Sequence, residues 1–256
     1  MLGEPNFEVK MLVDPEETLN SEGELKRKVR KAFDIERSTE AVMLFLDSAD
    51  RALHGAGWIV RLRAFDDESD IQVTYKKRFD LEGNDEEDVD RAVEAARAEG
   101  FEEAPDEYDA QVEWGLHELT LTASLKASGG PRDSDSLTLP GTEDARRIAL
   151  STLPSVLEQQ LPDQARAILE QAHVYGPVEG RRWIGEWKDD ELFVEVWKVS
   201  PPGQDEQRIV EVSFKKKRHE SADNRHEDLR ELLKKQGWLT DDQRSKTEII
   251  LERFGP

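Results

Sequence analysis

Apolar and polar residues alternate along several short segments of this chain, and a period of two marks a strand with two unlike faces. The first segment is Asn6-Phe7-Glu8-Val9-Lys10-Met11-Leu12-Val13, with Phe7, Val9 and Met11 on one face and Asn6, Glu8 and Lys10 on the other. Residues 42–47 are almost wholly apolar. Trp58-Ile59-Val60-Arg61-Leu62-Arg63 sets Arg61 and Arg63 against Val60 and Leu62. Residues 71–78 set Gln72, Thr74, Lys76 and Arg78 against Val73 and Tyr75, and the short acidic link 64–70 suits a hairpin loop. Further strands are expected at 111–114, with continuation through 119–126, and at 173–187 with a bend at Gly176-Pro177. The last two, 192–199 and 208–215, are joined by the turn-forming Ser200-Pro201-Pro202-Gly203-Gln204-Asp205. That makes about eight strands, mostly sequence neighbours and hence antiparallel.

Helical periodicity fills the intervals. It runs over 22–33, over 86–99 up to Gly100, and over 142–172, where Pro154 and Pro162 break it into pieces. Asp85-Glu86-Glu87-Asp88 marks a helix start, where the helix dipole favours acids. Two more helices, 223–237 and 241–254, flank Gly237-Trp238-Leu239-Thr240, and residues 128–140 read as loop. No internal repeat or low-complexity linker divides the chain. Residues 1–256 are therefore expected to form one α+β domain, with helical insertions near 83–110 and 142–172 and a C-terminal helical segment at 223–254.

Composition narrows the chemistry. The 256 residues carry 36 Lys and Arg against 57 Asp and Glu, a net charge of −21. Such acidity argues against non-specific binding to nucleic acid or to an anionic membrane. The absence of cysteine excludes disulfides, thiolate metal sites and cysteine nucleophiles. None of the five histidines is spaced as a zinc site, and no P-loop, dinucleotide fingerprint or serine-hydrolase elbow occurs. No apolar run approaches the ~20 residues that span a bilayer. The N-terminus lacks a cationic start and an apolar core, and a cytoplasmic protein is expected.

The position of the charges says more than their total. On any one strand a charged face is simply a wet face. An antiparallel sheet of about eight strands, however, curls or closes. The charged faces then line the lumen of an eight-stranded antiparallel β-barrel, with helices packed outside. Arginines and lysines gathered there make a cationic cavity suited to a polyanion such as a phosphate chain, which the planar guanidinium grips bidentately. Interspersed glutamates suggest a divalent cation. The basic run Lys215-Lys216-Lys217-Arg218-His219 reads as Lys215 pointing inward and a solvated strand edge beyond it.

These residues resemble a known family. Glu8-Val9-Lys10 resembles the end of the E-x-E-x-K signature of the CYTH, or triphosphate tunnel metalloenzyme, superfamily. Phe45-Leu46-Asp47-Ser48-Ala49-Asp50, with Leu53, a glycine and Arg61-Leu62-Arg63, is similar to its F/Y-x-D-T-x-D…L…G…L-R-x-R stretch. Lys76 and Arg78 match its next basic strand, and Arg182, Glu195 and Glu211 with Lys215 resemble its later ones. Ser245-Lys246-Thr247 and the apolar helix after it are similar as well. The resemblance spreads over most of the chain, with insertions around 83–108 and 127–170. It implies an eight-stranded antiparallel tunnel that binds triphosphates with Mg2+ or Mn2+; most members hydrolyse triphosphates and some are adenylate cyclases. Two positions depart from the pattern: Asn6 and Ser213 stand where two of the family's metal-binding glutamates are expected. An amide or hydroxyl there removes negative charge and weakens a site for a hard cation.

The reading that follows is a metal-dependent hydrolase of an organic triphosphate or diphosphate. The resemblance assigns Glu8, Lys10, Lys76 and Glu211 to catalysis and Arg61, Arg63, Arg78, Arg182 and Lys215 to the phosphates. It assigns Glu8, Glu195 and Glu211 to Mg2+ or Mn2+, helped by Glu113 or Glu186. Trp197 and Phe193 share the parity of Glu195, and an inward Trp197 suits an organic group. Two alternatives stay open: a lyase or cyclase releasing pyrophosphate, and a polyphosphate-binding module without catalysis. The expected partner is a small phosphate-bearing molecule, with no nucleic acid and no membrane, and the protein is expected to be a monomer or homodimer.

Overall fold

The alternating segments become strands close to where the pattern puts them. The computed structural model describes residues 2–102, 108–132 and 136–255. The strands are β1 (Asn6–Val13), β2 (Arg37–Asp47), β3 (Trp58–Phe65), β4 (Asp70–Asp80) and β5 (Asp109–Trp114). Then come β6 (Leu119–Pro131), β7 (His173–Trp187), β8 (Asp190–Val199) and β9 (Gln207–Lys216). They close into a barrel in the order β1-β5-β6-β4-β3-β2-β7-β8-β9.

Two features differ from expectation. The barrel has nine strands, because the segment expected to run on from 111 to 126 is two. The Gly115 N–H donates to the Glu118 carbonyl at 2.9 Å, and the chain reverses between β5 and β6. Closure is also not wholly antiparallel. β1 pairs antiparallel with β9 but parallel with β5, matching Asn6 to Gln111 and Glu8 to Glu113. A pairing between segments a hundred residues apart leaves no trace in local alternation. Of the expected insertion at 83–110 and loop at 128–140, residues 103–107 and 133–135 lie outside the described residues.

The helices are α1 (Pro15–Thr18), α2 (Arg27–Ala32), α3 (Ala52–Gly55), α4 (Glu86–Ala96) and α5 (Thr142–Ser151). They continue with α6 (Ser155–Gln160), α7 (Gln164–Glu170), α8 (His219–Gln236) and α9 (Lys246–Phe254). α4 starts with a capping box between Asp85 and Asp88 and runs through a π turn (Arg97–Phe101) that holds Gly100 at φ 103°. α2 covers only part of 22–33, because Leu25 is extended and buried in a bridge to Leu19. The outward residues Val9, Met11, Val60, Leu62, Val73 and Val212 join Leu53, Val89, Leu157, Leu169 and Leu229 of the helices in one apolar cluster. Each such side chain contributes ~1.5–3 kcal/mol by leaving water.

α9 lies differently. It begins at Lys246 rather than near 241, because the Ser245 hydroxyl accepts the Glu248 N–H at 3.2 Å and caps it. Its Ile249, Ile250 and Leu251 pack with Leu12, Met43, Phe45, Phe65, Tyr175 and Trp197. The register puts Met43, Phe45 and Phe65 on the inward face with Arg61 and Arg63, so α9 stops part of the lumen with an apolar floor. Among the described residues no helix is long and apolar enough to cross a membrane.

Candidate active site in the barrel lumen

Pairing register fixes which charges meet. Glu8 lies beside Glu113 on one side and Lys215 on the other. Glu195 lies between Arg182 and Glu211. Arg61 sits opposite Thr74, whose inward neighbours on β4 are Lys76 and Arg78. These residues line one cavity of about 710 Å³, a size typical of small-molecule sites. Nine lysines and arginines line it against seven aspartates and glutamates. The cavity thus reverses the sign of a chain whose net charge is −21, so an anion is attracted there and repelled elsewhere.

Glu113 anchors the first cluster. It is 4% exposed and accepts from Lys10, from Lys76 at 2.5 Å and from Arg78 at 3.5 Å. Burial pushes its carboxyl up, but the three cations outweigh that and hold it well below the usual carboxylate range. Burial pulls the Lys10 ammonium down, yet Glu113, Glu211 and Glu8 together leave it raised. Lys76 meets the same burial and also the repulsion of Lys10, and it ends lowered despite Glu113. One carboxylate does not fully compensate two ammonium groups.

Glu195 and Glu211 form the second cluster, and both bind Lys246. The Lys246 ammonium donates to Glu195 and, at 2.8 Å, to Glu211 Oε1, and it sits 4.1 Å from the centroid of the Trp197 ring. Arg182 forks onto Glu195 Oε1 at 2.9 and 2.6 Å, and the Trp197 indole donates to the other oxygen at 3.2 Å. Burial raises the Glu195 carboxyl, but Lys246 and Arg182 bring it well below its ordinary value.

Arg61 and Arg63 stand apart from both clusters. Among the described residues neither has a carboxylate within hydrogen-bond distance, and the Nε of each is buried without a partner. Arg63 donates to Gln72 at 2.9 Å and lies 4.2 Å from the Phe65 ring centroid. Burial lowers both groups, and the repulsion of Arg61 helps bring Arg63 well below the ordinary arginine value. A guanidinium stays charged in a protein. The barrel therefore holds two incompletely compensated cations facing a cavity, Arg63 buried and Arg61 half-buried.

The remaining expected site residues fall as follows. Glu8 lines the cavity and accepts from Gln111 Nε2 at 2.6 Å. Lys215 is an exposed lining residue, and Asn6, Ser213, Phe193 and Trp197 also line the cavity. Glu186 shares the parity of Arg182 but is exposed near the end of its strand and outside the lining set, although its register partner Glu191 lines the cavity. Asp47, the aspartate of the early motif, is a cap rather than a site residue. Its buried carboxylate accepts the N–H groups of Ser48, Leu53 and His54 at 2.7 to 2.8 Å and starts α3.

The expected metal donors do not fit a resident Mg2+ or Mn2+. Among the described residues no group of three acidic or histidine side chains converges. Glu8 pairs with Lys215 while Glu211 pairs with Leu12, four residues along the same ladder and roughly 13 Å of strand. Between Glu195 and Glu211 the cation position holds an ammonium. Lys246 is the charged lumen residue that strand reasoning missed: it lies on a helix, so no strand parity could place it. Phe45, Ile59, Gln111 and Lys126 also line the cavity, and their parity would have found them.

No family model matches the chain, and no curated protein matches it. Its fold is similar to solved structures at low identity. A protein from Hippeastrum, described as an adenylyl cyclase candidate with a dominant triphosphatase activity, gives a TM-score of 0.57 at 11% identity, covering 96% of this chain and 94% of that one. An adenylate cyclase candidate from Bacillus halodurans gives 0.52 at 15% identity, covering 99% and 98%. The chain shares its closed-barrel fold with these two structures. The tunnel here has nine strands, a lumen richer in bases than acids, and an apolar floor supplied by α9.

Proposed function

We propose that this protein is a phosphohydrolase acting on an organic triphosphate or diphosphate held in the tunnel. The observation that carries the reading is the pair Arg61 and Arg63, half-buried and buried, which face the cavity with no carboxylate within hydrogen-bond distance among the described residues. A charge drawn out of water without a paired countercharge is costly, and a bound polyanion offsets that cost. Arg61, Arg63, Arg78 and Arg182 present planar forks to phosphate oxygens, with Lys10, Lys76 and Lys215 as point charges beside them. Such a clamp does its work on the charge that develops in phosphoryl transfer, where one positioned donor is worth ~10²–10³ in rate. Among the described residues Glu8 receives no ammonium or guanidinium hydrogen bond, and it is the carboxylate that would orient an attacking water. Glu211 serves by holding Lys246. The two solved structures are described as cyclase candidates, one with triphosphatase activity, which agrees with a phosphate-bearing substrate.

A second reading keeps the clamp and changes the bond broken. Phe45, Phe193 and Trp197 give the lumen an aromatic wall suited to an organic group, and such a site can release pyrophosphate by lyase or cyclase chemistry. The test is a panel of tripolyphosphate, ATP, thiamine triphosphate and a prenyl diphosphate, with orthophosphate and pyrophosphate scored separately. Orthophosphate supports hydrolysis, and pyrophosphate alone moves the protein to the second reading. Tight binding without turnover makes it a binding module. No binding of any member refutes the tunnel assignment.

A further inference from the structure

Lys246 lies where two carboxylates approach each other inside the tunnel. Glu195 and Glu211 are direct register partners on β8 and β9, and two like charges placed opposite each other destabilise a sheet. A cation between them relieves that repulsion, beyond what Arg182 does for Glu195 alone. Here it is the Lys246 ammonium, 12% exposed, bonded to both carboxylates and seated over the Trp197 ring. α9 delivers it with its first turn, fixed by the Ser245 cap and by the packing of Ile249, Ile250 and Leu251 on the tunnel floor.

We propose that Lys246 is the resident cation of this tunnel, occupying the place of a divalent metal between Glu195 and Glu211, so that phosphate binding does not depend on metal. The changes elsewhere agree. Asn6 and Ser213 line the cavity as an amide and a hydroxyl, and they cannot supply the extra negative charge a divalent ion needs. A single positive charge balances fewer carboxylates, and it comes covalently tethered, with no cost of capture. An ammonium has three donors; two go to Glu195 and Glu211, and the third remains for a phosphate oxygen at the cavity wall.

The inference rests on the phosphate reading only for its second arm. In the first arm, Mn2+ alone is titrated into the protein without substrate and followed by electron paramagnetic resonance of the free ion. The wild-type chain is expected to show no stoichiometric binding, whereas Lys246→Met is expected to gain one site at least about tenfold tighter. Lys246→Gln serves as a second variant, with circular dichroism to verify folding. Stoichiometric Mn2+ binding by the wild type would overturn the proposal, and so would failure of both folded variants to gain a site. In the second arm, calorimetry measures tripolyphosphate binding to the wild type in EDTA and in Mg2+. Equal affinity supports the proposal, and binding that appears only with Mg2+ overturns it. If tripolyphosphate binds in neither condition, the phosphate reading fails while the Mn2+ arm still judges Lys246.

Discussion

Replacing Glu113 with glutamine keeps the shape of the side chain and removes the charge that three cations share. Glu113 is 4% exposed, while Lys10, Lys76 and Arg78 are 22%, 23% and 22% exposed, so water compensates them only in part. Breaking a buried ion pair from one side costs ~3–5 kcal/mol. At ~2–4 °C per kcal/mol for a chain of this size, the melting temperature of Glu113→Gln should fall by ~6–20 °C. The repulsion left behind gives a second signature. Tripolyphosphate at a hundred times its Kd stabilises a protein by ~2.7 kcal/mol. The anion should raise the melting temperature of Glu113→Gln by more than it raises the wild type, because it replaces the missing countercharge. Differential scanning calorimetry with and without tripolyphosphate measures both effects. A variant melting within ~2 °C of the wild type, or one that gains no more than the wild type from the ligand, would refute the account of Glu113 as the anchor of the cluster.

Other expectations follow from the same geometry. Glu113 and Glu195 are depressed below their ordinary value of 4.5, so the stability they contribute is present above that pH and is lost as pH falls through the lower folded values; urea midpoints should hold from neutrality to about pH 5 and drop below about 4.5. Glu113→Gln should show a shallower acid limb in the same titration. Arg61→Ala should weaken tripolyphosphate binding by ~10–100-fold in calorimetry while leaving thermal stability unchanged or raised, since it removes a poorly compensated buried charge. Asp47→Ala should cost ~1–2 kcal/mol in urea unfolding through loss of the α3 cap, with tripolyphosphate affinity unchanged.

The wall of the tunnel was legible because its two faces differ so sharply. Alternation placed Glu8, Lys10, Arg61, Arg63, Lys76, Arg182 and Glu211 on the lumen side, and register in the structure brings them together. The same rule does not account for Glu186, because parity says which side of a strand a residue takes and not whether its side chain stays in the lumen or turns to solvent near the strand end. The parallel β1–β5 seam was out of reach, since pairing across a hundred residues depends on the closed barrel and not on either segment. Ionic partners were harder still. The family resemblance makes Glu113 a helper at the metal, and the structure pairs it with Lys10, Lys76 and Arg78. Lys246 resembled a motif without having a role, because only the packing of α9 into the lumen shows what its ammonium meets.

The seam at β1 also bears on how the chain assembles. β1 is made first, yet one of its neighbours begins near residue 109 and the other near residue 207. Contacts of such high order are slow to form, because the entropy of closing long loops must be met before pairing returns anything. Lys246 arrives later still, from the last helix. Until then Arg182 alone faces the Glu195 and Glu211 carboxylates, which lie opposite each other, and closure is opposed by charge as well as by entropy. The chain therefore holds every strand of the barrel before it holds Lys246, and the charges of the lumen reach their final pairing only when α9 packs against it.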